Sequence, residues 1–289
     1  MAIPRARSRE RAQWTSSPWT VAGVVAVAYL AFVIPFALGG VNDFAQIGHR
    51  FLTQSTTSTV IKPSLGYQSE IGFDGQFFLF LALDPRHAQD YMDQPGYRYS
   101  RIGYPILARG LSGGNSVAIP YLMILINVAA VVGGTLAAAI WLRRRRTSPW
   151  FALLYGLFPA MIFSVLRDLG EPLAFGLAAW AMVVFDARSW RRLLASAGLF
   201  AYALLTRETV ALIPAILFLS LLLDRGSLSG WASRVRANVP RAAVFAAVAF
   251  APMFAWRYAV SFWVSGASGI SGDSHEGATR DIVTRLALN

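Results

Sequence analysis

Long apolar runs constrain the fold of this 289-residue chain more than any other feature. A helix needs about 20 apolar residues to cross a hydrocarbon core roughly 30 Å thick. Seven runs approach or exceed that length: 18–38, 117–142, 149–166, 172–185, 193–205, 209–223 and 242–264. The sequence therefore predicts an all-α, polytopic integral membrane protein with about seven transmembrane helices.

Composition excludes several other classes of protein. Hydrophobic residues make up 55% of the chain and charged residues 14%, against about 25% charged in an ordinary soluble domain. A soluble enzyme, a disordered tail and a disulfide-stapled secreted domain therefore fit poorly. The chain has no Cys and only three scattered His, so cysteine chemistry is excluded and a His-rich metal site is disfavoured.

The distribution of charge predicts the orientation in the membrane. With a cytoplasmic N-terminus, the inner segments are 1–17, 143–148, 186–192 and 224–241. These segments hold 15 Arg and three acidic residues, whereas the rest of the chain holds 11 basic and 12 acidic residues. This asymmetry follows the positive-inside rule. We predict a multi-pass protein of the plasma (inner) membrane, and membrane lipids rather than nucleic acid as partners of the net charge of +11. A cleaved signal peptide is the alternative for the first run.

The loop 39–116 between the first two runs is too long to be a simple connector. Its segment 74–84, DGQFFLFLALD, is very apolar but too short to span a bilayer. We predict a helix lying in the membrane interface, with Asp74 near its N-terminus, where the helix dipole favours an acid. Residues 102–111 are predicted to form a second short helix.

Ionisable residues gather at the predicted outer ends of the later helices. A charge at membrane depth costs about 2.5–3.5 kcal/mol on insertion scales, so such residues usually pair or line a wet cavity. We predict a charged pocket that opens to the outside under the first loop. The residues of these outer ends are Arg167, Asp168, Glu171, Arg207, Glu208 and Arg257.

This layout resembles the GT-C superfamily of polytopic glycosyltransferases, most closely the PIG-V mannosyltransferase branch and its uncharacterised bacterial relatives. Four segments are similar to family motifs: GFDGQFFLFLALDP at 72–85, YRYSRIGYP at 97–105, RDLGEP at 167–172 and LLTRETVALIP at 204–214. The resemblance implies a module over 18–264. Family members usually continue with more helices, so the resemblance leaves truncation of this chain open, and 265–289 are predicted to be an extracytoplasmic tail.

The resemblance further implies an activity. Such enzymes transfer a sugar, here mannose-like, from a polyprenyl-phosphate donor to an extracytoplasmic lipid, glycan or protein, with inversion at the anomeric carbon. Asp74 would be the catalytic carboxylate, and a groove for the prenyl tail would lie beside 77–80. A divalent cation would suit this chemistry, although no ligand spacing supports one. The implied substrate-binding residues are Asp43, Arg98, Arg101, Arg167, Asp168, Glu171, Arg207, Glu208 and Arg257.

Structural roles remain open for these residues. Asp74, Asp168 and Glu171 precede predicted helices and fit capping roles, while Arg98 and Arg101 fit interface anchors. For the whole chain, the alternatives are a transporter or lipid flippase and a non-catalytic scaffold of envelope assembly. Transport usually places ionisable residues near the midplane and often shows repeats, and we find no repeat. The sequence predicts no oligomeric state.

Overall fold

The computed structural model describes residues 17–52, 70–223 and 231–264. Within these ranges the chain is all-helical, and its only β pairing is an isolated bridge between Ile47 and Gly72. The predicted basic N-terminus, apart from Ser17, and the predicted tail 265–289 lie outside the described residues. The prediction of an all-α protein is confirmed for the described ranges.

The α-helices of the described residues are numbered in chain order. They are α1 Pro18–Gly39, α2 His49–Leu52, α3 Gly75–Leu83, α4 Pro95–Tyr99, α5 Gly103–Ser112, α6 Ala118–Arg144, α7 Leu153–Gly156, α8 Pro159–Leu166, α9 Glu171–Val184, α10 Trp190–Thr206, α11 Leu212–Leu222 and α12 Trp231–Trp263. Short 3-10 turns occur at Val41–Phe44, Ala88–Tyr91, Pro149–Ala152 and Glu208–Ala211.

Three helices are long and apolar enough to cross a membrane: α1, α6 and the segment Asn238–Trp263 of α12. The pair Pro149–Gly156 and Pro159–Leu166, bent by 46° at its break, makes a fourth candidate. Glu171–Val184 and Glu208–Leu222 are apolar but shorter. The structure thus contains three or four helices able to span a membrane by length and composition, and the count of seven stays a prediction.

Local sequence explains where the membrane helices begin and break. Helix α1 begins at Pro18, a residue favoured in the first helical turn, and the Ser17 hydroxyl accepts a hydrogen bond from the backbone N–H of Trp19 at 3.3 Å. The break between α7 and α8 falls before Pro159. Phe158 is extended there, because proline disfavours the helical conformation in the residue that precedes it.

Helix α6 occupies the centre of the described fold, where it packs against α1, α5 and α9. Helix α10 packs between α9 and α12, and α11 packs on α12. Close approach of α6 and α9 requires a small residue, since a Cβ on Gly176 would lie 2.6 Å from the backbone oxygen of Ala130. Small residues at such contacts are typical of membrane helix pairs.

Helix α3 differs from the prediction of an interfacial helix. Eight of its nine residues are buried, and it packs against α4, α5 and α6. A helix that is apolar on all sides is most stable when protein surrounds it. Its C-terminal carbonyls are satisfied by Arg109 of α5, whose Nη1 donates to the backbone oxygens of Ala82 at 2.9 Å and Leu83 at 2.6 Å.

Candidate functional site

Five of the predicted site residues form one continuous group of charges, which we call the ion cluster: Asp74, Arg98, Arg101, Glu208 and Arg257. They come from the N-terminus of α3, from α4, from the turn before α5, from the turn after α10 and from α12. The chain therefore brings together residues from four separate regions of sequence. Neighbouring ion pairs link all five side chains.

Arg101 lies at the centre of the ion cluster. Its Nη2 and Nε donate to the two carboxylate oxygens of Glu208 at 2.6 and 3.1 Å, a bidentate geometry that suits the planar guanidinium. The Tyr97 hydroxyl also accepts from Nη2. Burial alone lowers the pKa of Arg101, but the hydrogen bonds and charge of Glu208 outweigh it and raise the pKa above its usual value. Arg101 is therefore a permanent, rigidly held cation.

One nitrogen of Arg101 is left without a hydrogen bond. Nη1 is buried and has no hydrogen-bond partner among the described residues, and it lies 3.9 Å from Asp74 Oδ2. A buried donor without a partner is costly. At 3.9 Å the two atoms are too far apart for a direct hydrogen bond.

Asp74 does not cap α3 with its side chain, although it occupies the N-cap position. Its carboxylate, 38% exposed, forms an ion pair with Arg98, with 2.8 Å between Oδ1 and Nη1. Arg98 also pairs with Asp93 at 2.9 Å, and its guanidinium stacks over the Phe77 ring at 4.2 Å. The capping interpretation of Asp74 is thus wrong, and the carboxylate is partly open to solvent and oriented by a nearly buried arginine.

A second charged contact lies beside the ion cluster. Arg207 precedes Glu208 in the chain and forms a salt bridge with Glu171, the first residue of α9. Arg167 lies four residues before Glu171 in the chain. Its guanidinium stacks over the rings of Phe73 at 4.3 Å and Phe163 at 5.1 Å. The backbone oxygen of Arg167 also leaves no room for a Cβ at Gly75, so this turn packs directly against the start of α3.

Asp168 has an environment that differs from every residue of the ion cluster. It is 2% exposed, and its Oδ1 is hydrogen-bonded to the Tyr104 hydroxyl and accepts from Asn127 Nδ2 at 3.3 Å. Burial raises the pKa of Asp168 to about 7, although both hydrogen bonds act in the opposite direction. We call Asp168, Tyr104 and Asn127 the buried polar cluster. Tyr104 and Asn127 were not among the residues predicted from the sequence, although an Asn in an apolar run is a signal for a specific contact.

Asp43 also lies away from solvent. It belongs to the 3-10 turn Val41–Phe44 that follows α1, and it is 8% exposed.

Among the described residues, no group of three or more His, Cys, Asp or Glu is arranged to hold a metal ion.

An open apolar cavity of about 370 Å³ adjoins the ion cluster along the chain. It is lined by Ile102, Leu205, Pro252, Ala255, Trp256 and Ala259. Ile102 follows Arg101, and Trp256 precedes Arg257, so two lining residues are next to charged residues in the chain. Trp256 Nε1 donates to the backbone oxygen of Tyr99 at 2.7 Å, which fixes α12 against α4. The phenylalanines predicted to flank a groove, Phe77, Phe78 and Phe80, are instead buried in the core.

Comparison of the chain with known protein families, characterised proteins and solved structures finds no match.

Proposed function

We propose that this chain is a membrane glycosyltransferase of the GT-C type, which transfers a sugar from a polyprenyl-phosphate donor to an acceptor hydroxyl. The observation that carries the proposal is the ion cluster: an accessible carboxylate, Asp74, lies among arginines, and an apolar cavity adjoins them. Sugar transfer from a lipid phosphate needs these three features together. It needs a group that handles the acceptor proton, cations for the phosphate and an apolar site for the lipid chain.

Asp74 acts on the acceptor in this proposal. Its carboxylate accepts the proton of the acceptor hydroxyl, or orients that hydroxyl, while the acceptor oxygen forms a bond to the anomeric carbon. The bond between the anomeric carbon and the phosphate oxygen breaks on the opposite face, which inverts the anomeric configuration. Polyprenyl phosphate leaves with the bonding electron pair.

Arg101 and Arg257 bind the departing phosphate in this proposal. The buried Nη1 of Arg101 has no hydrogen-bond partner in the described part of the chain, and the Arg257 side chain is 42% exposed with a 3.9 Å contact to Glu208. Arg257 therefore has donors accessible to phosphate oxygens, and Arg101 attracts the phosphate through its fixed positive charge. Donors that are held in place before reaction stabilise developing negative charge without reorganisation.

The apolar cavity receives the first units of the prenyl chain in this proposal. The cavity is open, so the rest of a long chain can continue into lipid. Because Ile102 follows Arg101 and Trp256 precedes Arg257 in the chain, a prenyl chain in this cavity would have its phosphate end toward these two arginines.

The proposal includes seven membrane crossings with the N-terminus in the cytoplasm. Each of the seven apolar runs contains helix in the structure. Helix α9 has 14 residues and is therefore about 21 Å long, less than the roughly 30 Å hydrocarbon core. The turn before α9 and the turn between α10 and α11 would then lie below the outer membrane surface, where paired charges are favoured.

The test supplies the full chain, in nanodiscs, with a polyprenyl-phosphate mannose labelled in the sugar and with a membrane extract as acceptor source. The expected result is transfer of label to a new product and release of polyprenyl phosphate. Asp74→Asn should reduce transfer at least about 100-fold, while Asp90→Asn, which removes an exposed acid of the same loop, should not. Equal transfer by the two variants would remove Asp74 from the mechanism. Movement of labelled lipid between leaflets without product would indicate a flippase instead.

A further inference from the structure

The buried polar cluster contains one proton fewer than its acceptors require if Asp168 is ionised. The Tyr104 hydroxyl has a single proton, but it lies within hydrogen-bond distance of both Asp168 Oδ1 and the backbone oxygen of Met123, the latter at 2.9 Å. Asn127 Nδ2 donates to the Tyr104 oxygen at 2.8 Å and to the backbone oxygen of Leu169 at 3.0 Å. A protonated Asp168 completes this network, since it can donate to Tyr104 while Tyr104 donates to Met123.

Within residues 17–52, 70–223 and 231–264, no charged group compensates Asp168. Its own turn carries Arg167 and Glu171, but the Arg167 guanidinium faces aromatic rings and Glu171 pairs with Arg207. The titratable group that faces Asp168 from α5 is Tyr104, whose pKa is itself raised by burial and by Asp168, and α6 contributes the neutral Asn127. Burying an ionised carboxylate without a cation is strongly unfavourable, so the neutral acid is the stable form.

The backbone gives a second, independent reason to assign Asp168 a specific role. Its φ is +51°, in the left-handed region that favours glycine. The N–H groups of Asp168 and Leu169 donate to the backbone oxygens of Val165 at 3.3 Å and Ser164 at 2.9 Å, the pattern of a Schellman cap that ends α8. Glycine is the usual residue at this position, so the carboxyl group is present for its contacts rather than for the turn.

The contacts of Asp168 reach the ion cluster through α5. Tyr104 is three residues beyond Arg101, and Gly103 fits against Thr206 so closely that a Cβ would overlap the Thr206 hydroxyl. Tyr202 donates to the backbone oxygen of Gly103 at 2.8 Å. The start of α5 is thus held between α6, α10 and the turn before α9, and the buried polar cluster is the polar contact on the α6 side.

We propose that Asp168 is a positioning residue held as a neutral carboxylic acid, which donates a hydrogen bond to Tyr104 and thereby fixes the start of α5, and with it Arg101, against α6. Ionisation of Asp168 removes the proton that it donates, so the single proton of Tyr104 can then serve either the Asp168 carboxylate or the Met123 oxygen but not both. The network is therefore sensitive to pH near neutrality. The inference does not depend on the proposed glycosyltransferase activity, because its test measures protonation and stability.

The direction of the pH effect follows from linkage. Between the ordinary pKa of an aspartate and about 7, the folded state holds a proton that the unfolded state has lost. Stability from Asp168 is therefore fully present at low pH and is lost as the pH rises toward about 7. The melting temperature of the detergent-solubilised chain should fall from about pH 5 to about pH 7.5, and Asp168 should add no further change above that range.

Asp168→Asn is the main variant, because the amide is neutral, tolerates positive φ and can donate to Tyr104. It should retain the fold and lose much of the fall in melting temperature, whereas the exposed control Asp90→Asn should retain the whole of it. Asp168→Gly fits the turn without strain and serves as a second variant. It should lose the pH dependence together with the hydrogen bond.

Infrared difference spectroscopy tests the protonation directly. The carbonyl stretch of a protonated carboxylic acid should be present in the full chain at about pH 5.5, absent at about pH 8.5 and missing from Asp168→Asn or Asp168→Gly at both. The proposal is supported if the variants lose both the infrared carbonyl band and the pH dependence of the melting temperature. A melting profile or an infrared band that is the same in the wild type and in these variants overturns it.

Discussion

Asp74 and Asp168 are both acids at turns before helices, but their surroundings differ in every respect that controls a carboxylate. Asp74 is 38% exposed and paired with Arg98, whereas Asp168 is buried and contacts only neutral groups. Asp74 is thus open to a ligand beside a cation, while burial favours the protonated form of Asp168. The comparison teaches that the role of an acid depends on its partners rather than on its position before a helix.

The largest effect on stability is expected from removing the cation that holds the ion cluster together. Arg101→Met should lower the free energy of unfolding by about 3 kcal/mol, since it leaves Glu208 partly buried without its bidentate partner. Chemical denaturation in detergent measures this change. The double variant Arg101→Met, Glu208→Leu should recover part of the loss, and simple additivity of the two single changes would contradict the pairing.

A smaller loss is expected when the buried polar cluster loses one hydroxyl. Tyr104→Phe removes the group shared by Asp168 and Asn127, and should lower the free energy of unfolding by about 1–3 kcal/mol. Tyr121→Phe is the matched control, because Tyr121 lies on α6 and is largely exposed. Equal free energies of unfolding for Tyr104→Phe and Tyr121→Phe would contradict a stabilising role of the Tyr104 hydroxyl in the buried polar cluster.

The smallest effect is expected at the rim of the ion cluster. Asp93 pairs with Arg98 on the side away from Asp74, but its side chain is 47% exposed. Asp93→Asn should therefore change the free energy of unfolding by no more than about 1 kcal/mol, and less in high salt. A loss as large as that of Arg101→Met would show that Asp93 belongs to the centre of the cluster.

The sequence predicted the helical segments well because apolar length and proline positions are local properties. It did not predict that α3 is buried, because an equally apolar helix suits a lipid interface or a protein core, and only tertiary packing distinguishes them. Arg101 and Glu208 are 107 residues apart in the sequence. The pattern of charges predicted only that both residues lie on the same side of the membrane, and it did not predict that they pair. Asp168 and Glu171, three residues apart, were given one role, whereas the turn directs one inward and the other toward Arg207.

The most direct test measures sugar transfer and the pH dependence of melting together in Asp74→Asn and Asp168→Asn, at equal amounts of folded protein. The account predicts that Asp74→Asn loses at least about 99% of transfer but keeps the wild-type pH dependence of melting. It predicts that Asp168→Asn loses that pH dependence while transfer remains well above that of Asp74→Asn. The same pattern of loss in both variants would contradict the separation of a reactive carboxylate from a proton-holding one.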